Sequence, residues 1–193
     1  MPFPTITDIV APRLRLRPIA AADLPDLLAI NGDPEVTQFL PYPTWQTAAD
    51  GQAWFERMQT LASAGTSQQL VLQRHGDGRV IGTALLFRHD QDSARAELGY
   101  VLGRAHWGQG LMQEALHALC TQAFGPMGLR RLEAEVNPVN TASTTLLRRL
   151  GFSLEGCLRR RWVAKGSAPY DTHFFGLLAD EWPPRPAAAT SAD

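Results

Sequence analysis

The residues best suited to chemistry lie in one run, ELGYVLGRAHWGQGLMQEAL, from Glu97 to Leu116. It reads as a strand, a short loop holding Gly108 and Gly110, and an amphipathic helix that begins at once. Glycines let backbone N–H groups approach an anion closely, and the unpaired first-turn donors and dipole of a helix favour negative charge there. The dipole alone contributes about 0.3 to 2 kcal/mol. The same glycines would also serve any tight strand-to-helix turn, so the loop alone leaves both explanations open. It lacks the third glycine of G-x-G-x-x-G and the lysine of a P-loop, which argues against a dinucleotide fold or an NTPase.

Other reactive side chains carry plainer expectations. Cys120 and Cys157 are the only cysteines and stand outside any C-x-x-C spacing, so neither a zinc site nor a disulfide framework is indicated. Cys120 falls on an apolar helix face, and Cys157 is expected to be a small core residue rather than a nucleophile. His75, His89, His106, His117 and His173 show no ligand spacing, and no metal site is expected. The triplet Arg159, Arg160, Arg161 fits solvated strand charge, or a guide for an acidic substrate or ribosomal RNA.

Alternating and helical periodicities supply the elements that must position these groups. Arg13-Leu14-Arg15-Leu16-Arg17 alternates as a strand with one wet face, stopped by Pro18. Residues 21–62 change to helical spacing, broken by NGDP and LPYP, and two or three short helices fit. QQLVLQR, the turn HGDG and RVIGTALLF form a hairpin, followed by the strand ARAELGYVL. Leu111, Met112, Ala115, Leu116, Leu119, Cys120 and Ala123 then mark one helix face, ended by Gly125 and Pro126. LRRLEAEVN is a further strand ending at Asn137, and NTASTTLLRRLGF a helix opened by Asn140 and Ser143, where asparagine is a good N-cap. GCLRRRWVAKG and YDTHFFGLLADEW read as two last strands.

Composition sets the limits. At 193 residues, one domain over 1–182 is expected, with the tail PPRPAAATSAD disordered. Lysine plus arginine total 18 against 19 acids, so a bulk field for nucleic acid or an anionic membrane is absent. The first residues lack a basic start followed by an apolar run, and no stretch approaches the length of a membrane span. A cytoplasmic protein is expected, with neither direct nucleic-acid binding nor a membrane partner.

Taken together, GYVLGRAHWGQGLMQEAL, VNPVNTASTTLLRRLGF, EGCLRRRW and DTHFFGLLADEW resemble the GNAT superfamily of N-acetyltransferases. Within it they are most similar to the RimJ/RimL-like ribosomal-protein N-terminal acetyltransferase branch, from about Leu14 to Trp182. The resemblance implies an α/β (α+β) fold: a mixed, mostly antiparallel twisted sheet of about six or seven strands, splayed at a cofactor cleft, with helices on both faces. It implies acetyl-CoA as cosubstrate, no metal, and the pyrophosphate on the loop before the long helix. Gly108, Gln109, Gly110, Leu111 and Met112 would then offer the phosphate donors. The superfamily pattern Q/R-x-x-G-x-G/A meets Trp107 at its first position here and Met112 at its last. Tryptophan-glycine starts resemble this branch, so the departure narrows the subfamily; Trp107 either contacts the cofactor or packs.

By the same resemblance, Tyr100, Val101 and Leu102 would pair through the main chain with the pantetheine amides, one N–H polarising the thioester carbonyl. Asn137 and Asn140 are implied cofactor contacts, capping being the alternative for Asn140, and the Ser143 hydroxyl would lie near the CoA sulfur. An amine attacks only when neutral, and an α-amine of pKa about 7.7 to 8.0 deprotonates far more readily than a lysine at about 10.4. A modest base suffices, and Glu97 is the candidate, acting directly or through water; the alternatives are an exposed strand glutamate or an arginine partner. The leaving thiolate, whose conjugate thiol ordinarily titrates near about 8.5, is helped by a proton from Ser143 without requiring it. Tyr42, Trp45 and Trp54 fall where the family forms its acceptor wall, although core packing explains Trp54 equally. The implied reaction is direct ternary-complex transfer to a primary amine, preferentially a protein N-terminal α-amine such as that of a ribosomal protein. Polyamines, amino acids or aminoglycosides are alternative acceptors, a CoA-binding regulator without turnover is the rival class, and the chain would be a monomer or homodimer.

Overall fold

The computed structural model describes residues 6–182, so the tail expected to be disordered lies outside the described residues. Strands β1 (Ile9–Val10), β2 (Leu14–Pro18), β3 (Gln68–Arg74), β4 (Val80–Asp90), β5 (Arg95–Leu102), β6 (Arg131–Val136), β7 (Ser153–Trp162) and β8 (Tyr170–Leu178) form one sheet. Their order is β1-β2-β3-β4-β5-β6-β8-β7. Seven of the eight coincide with segments the sequence marks as strands; the eighth, β1, has two residues, too few for a pattern to mark. Every neighbouring pair is antiparallel except β5 with β6, which is parallel. A parallel neighbour needs a crossover, and helix α4 (Leu111–Phe124) supplies it.

Period-two side-chain direction gives the sheet two buried faces. Leu70 and Leu72 join the core that holds Leu116 and Leu119 of α4 and Leu147 of α5 (Thr141–Arg149), whereas Val71 between them points the other way. There it packs with Leu27 and Ile30 of α1 (Leu24–Asn31) and Trp54, Phe55 and Met58 of α3 (Ala48–Ser63). The NGDP signal becomes the start of a short α2 (Pro34–Thr37), whose N-cap Asp33 accepts from the Glu35 N–H at 2.9 Å. Thr47 and Asp50 close a capping box at the head of α3.

Two irregularities in the sheet prepare the site. In β4, Arg88 and His89 lie between the rungs Phe87↔Glu97 and Asp90↔Arg95, so two residues face the single Ala96. This is a bulge, and Arg88 takes a φ of 51° within it. Bulges bend a strand and re-aim a side chain, and here the device puts Arg88 against Glu97. The second irregularity is a parting: β5 and β6 pair only over Arg95↔Arg131, Ala96↔Leu132 and Glu97↔Glu133. Beyond these rungs β5 continues to Leu102 on β4, and β6 continues to Val136 on β8.

Candidate active site

Among the described residues, the parting leaves one edge of β5 without a strand from Leu98 onward. The Gly103 N–H donates to the Ile81 carbonyl at 2.9 Å, and the register with β4 is unbroken from Gly82↔Leu102 to Phe87↔Glu97. Antiparallel ladders alternate, so Val101 turns its main-chain groups to β4, while Tyr100 and Leu102 turn theirs to the open edge. The Leu102 carbonyl is met there by Trp107, whose Nε1 donates to it at 2.8 Å. Trp107 is 46% exposed and works as a strut between the loop and the strand end rather than as a core residue.

The loop leads into α4 through Gly108 (φ 72°) and Gly110 (φ 73°), left-handed conformations that a side chain would strain. Gly110 is the N-cap and its carbonyl accepts from the Glu114 N–H, so the N–H groups of Leu111, Met112 and Gln113 lack intrahelical partners. Leu111 and Met112 bury their side chains in the core, which fixes these donors in place. Arg13 latches the loop from β2: its Nε and main-chain N–H donate to the Glu114 carboxylate, both at 2.6 Å, and its Nη1 donates to the Gln109 carbonyl at 3.0 Å. An acid in the first turn would repel a diphosphate, and Arg13 offsets that charge.

Across the opening, Asn140 is the N-cap of α5, its Oδ1 accepting from the Ser143 N–H at 3.1 Å. Asn137, at the end of β6, accepts from the Val139 N–H at 3.1 Å. The Ser143 hydroxyl lies 2.6 Å from that of Tyr100, so the pair bridges β5 to α5. Burial pushes the Tyr100 phenol up to about 12, the serine contact opposing the shift.

Glu97 faces the other way. Its neighbours Ala96 and Leu98 belong to the α4 core, so alternation puts its carboxylate on the face of α1 to α3, where it is 6% exposed. Arg88 Nη1 donates to it at 2.6 Å and lies 3.3 Å from Glu135 on β6. Glu135 also accepts from Arg161 Nη2 at 3.1 Å and Trp162 Nε1 at 2.5 Å. Burial holds the Glu97 carboxyl above the usual range; Arg88 pulls it down, and Glu135 and Glu133 add to the rise. A cavity of about 330 Å³ joins Glu97 and Glu135 to Tyr100, Asn137, Asn140 and Ser143, with aromatic walls from Tyr42, Trp54, Trp162 and Tyr170. Trp45 packs tilted against Trp54, ring centroids 5.5 Å apart, behind this wall and is itself buried.

Of the other reactive side chains, one lies elsewhere than the sequence suggests. Cys157, expected in the core, is exposed on edge strand β7; its apolar neighbours in the sequence belong to a strand with little cover on either side. Cys120 is fully buried, which drives its thiol up to about 12. Arg159, Arg160 and Arg161 are exposed, though Arg161 reaches Glu135. Among the described residues no cluster of His, Cys, Asp and Glu is arranged to hold a metal ion, and no helix is long and apolar enough to cross a membrane. Periodicity and motif spacing do not single out Arg13, Arg88, Glu135 or the Tyr100 phenol. For Glu135 a signal exists: it shares with Glu133 the polar face of a strand bordering the opening.

The split sheet thus sets a bare strand edge beside a glycine loop and a helix start, with a desolvated carboxylate at the same opening. Residues 13–153 match the Acetyltransferase (GNAT) domain family, and the chain belongs to that family. It is 35% identical over 170 residues to the Uncharacterized N-acetyltransferase p20 of Bacillus licheniformis, covering 88% of this chain and 95% of that protein. Over 84 residues, 44% of this chain and 47% of the other, it is 34% identical to the Ribosomal-protein-serine acetyltransferase of Escherichia coli strain K12. The solved structure of Mycobacterium smegmatis RimJ in complex with CoA-disulfide shares the fold, with a TM-score of 0.82, 22% identity, and coverage of 92% of this chain and 90% of that one. The chain is an acyltransferase with acetyl-CoA as cosubstrate.

The electrostatics of Glu97 are directly measurable. Its side-chain carboxyl, followed by carbon NMR, is expected to titrate above the ordinary glutamate value of about 4.3. Arg88→Ala removes the group that opposes the rise and should move the midpoint further up. A midpoint at or below the ordinary value, or a downward move in the variant, would contradict the assigned environment.

Proposed function

We propose that the chain transfers the acetyl group of acetyl-CoA to a primary amine by direct attack in a ternary complex, preferring the N-terminal α-amine of a protein such as a ribosomal protein. The reading is supported above all by the division of the opening between two sheet faces, Ser143 and Tyr100 toward α5 and Glu97 toward α1 to α3. In the proposed complex the pyrophosphate lies on the main chain from Gly108 to Met112, and Asn137 and Asn140 border the pantetheine. The open edge of β5 pairs with the pantetheine, Tyr100 using its main-chain groups, Leu102 its N–H and Val101 its side chain. A β5 N–H at this edge donates to the thioester carbonyl, where negative charge develops during attack.

Glu97 takes the proton of the acceptor nitrogen, directly or through water, and its raised pKa suits that task better than an ordinary glutamate would. The Ser143 hydroxyl, held by Tyr100, gives a proton to the departing thiolate. The ribosomal acceptor is supported by the similarity to the Escherichia coli enzyme over the stretch they share. A small amine is the second reading, favoured by the two carboxylates in the cavity. Labelled acetyl-CoA incubated with a cell extract, followed by mass spectrometry, separates them. Acetylated protein N-termini are expected; label confined to small amines would remove the protein acceptor, and cofactor binding with no thiol release would leave a non-catalytic CoA-binding protein.

Glu97→Gln should lower turnover about 100-fold, most of it below pH about 7.7, where an α-amine arrives protonated. Acetyl-CoA affinity, read by calorimetry, should not change. An unaltered pH–rate profile would take Glu97 out of the mechanism.

A further inference from the structure

Two features of the cavity remain unused by the transfer chemistry. Glu135 has a side chain only 6% exposed, and its carboxylate shares Arg88 Nη1 with Glu97 across the opening. That nitrogen therefore sits as a cation between two buried carboxylates, with its guanidinium 5.9 Å from the Trp162 ring centroid. The second feature is independent of this cluster. Thr172 of β8 lines the same cavity, is 1% exposed, and its hydroxyl has no hydrogen-bond partner among the described residues. Buried hydroxyls are normally paired, because an unpaired one has given up its water for nothing.

The register brings the two together. Glu135 faces Phe174 across the β6–β8 ladder, so Thr172 is its diagonal neighbour on the same sheet face. A buried acid and an unpaired hydroxyl so placed call for a ligand carrying a cation beside a neutral hydrogen-bonding group. An α-amine next to the first peptide amide is such a ligand, whereas a simple alkylamine has only the cation.

We propose that Glu135 and Thr172 are the acceptor-recognition residues of this site: Glu135 receives the α-ammonium, which displaces Arg88 Nη1, the longest of its three contacts, while Arg161 Nη2 and Trp162 Nε1 keep theirs, and Thr172 hydrogen-bonds the adjoining peptide group. The arrangement selects α-amines of peptides over isolated amines and deepens the acetyl-transfer reading on which it rests. Arg88 is 44% exposed, so it has solvent to turn into when displaced. It acts as an internal competitor for the acceptor.

Trp162 supplies a reporter that needs no turnover, because its indole Nε1–H donates to Glu135. Trialaninamide, N-acetyltrialaninamide and propylamine are titrated into the CoA-bound protein while the Trp162 indole resonance is followed by nitrogen–proton NMR. Trialaninamide should shift it saturably, propylamine should bind about fivefold more weakly, and the acetylated peptide should leave it in place. Glu135→Gln should weaken trialaninamide binding about tenfold with acetyl-CoA affinity unchanged, and Arg88→Ala should tighten it. Thr172→Val, which keeps the shape and removes the hydroxyl, should erase the difference between trialaninamide and propylamine. Equal binding of those two probes to the wild type, or unchanged binding in Glu135→Gln or Thr172→Val, would overturn the assignment. Failure of the transfer reading has a different signature: no acetyl-CoA-dependent thiol release, whatever the binding results.

Discussion

Three rungs of parallel pairing between β5 and β6, and no more, are what the site depends on. Backbone N–H and C=O groups withdrawn from water must find partners, and a strand edge that has lost its neighbour keeps its groups available. Had the pairing continued to Leu102, the sheet would close and the cavity that Tyr100 and Ser143 line would not exist. The parting is enforced from both sides: β4 holds β5 through Leu102, β8 holds β6 through Val136, and neither strand is free to lean back. Trp107 fixes the far end of the open edge by gripping the Leu102 carbonyl.

Charge within the opening follows from the same geometry. Glu97 and Glu135 come from the two diverging strands, so both carboxylates are desolvated where the sheet splits. Two such acids would repel strongly without a cation, and the bulge at Arg88 delivers one. At the other end, Arg13 offsets Glu114 in the first turn of α4. The opening is thus an arrangement whose parts are separately accountable: bare main-chain donors, a neutralised helix start, and a carboxylate kept less acidic than usual by burial.

Much of this is legible in the sequence because periodicity reports which face a residue occupies. The alternation of RLRLR, the stripe from Leu111 to Ala123 and the glycine pair at 108 and 110 translate directly into β2, α4 and the αL residues that lead from β5 into α4. What periodicity does not report is the partner. The Arg88 bulge exists only as a count of two residues against one on another strand. Arg13 meets Glu114 across 101 residues of chain. Glu135 has the pattern of a wet strand residue, since alternation marks a polar face without saying that Arg88, Arg161 and Trp162 close over it. Cys157 departs in the opposite sense: β7 is an edge strand, and its apolar residues, Leu154 and Leu158 among them, stay exposed.

The claim that the open edge of β5 is the seat of the cosubstrate can be read one amide at a time by hydrogen exchange. In the free protein the Tyr100 and Leu102 amides should exchange quickly while that of Val101, bonded to β4, exchanges slowly; saturating acetyl-CoA should slow Tyr100 and Leu102 and leave Val101 as it was. Binding of acetyl-CoA with no change at Tyr100 or Leu102 would contradict the account.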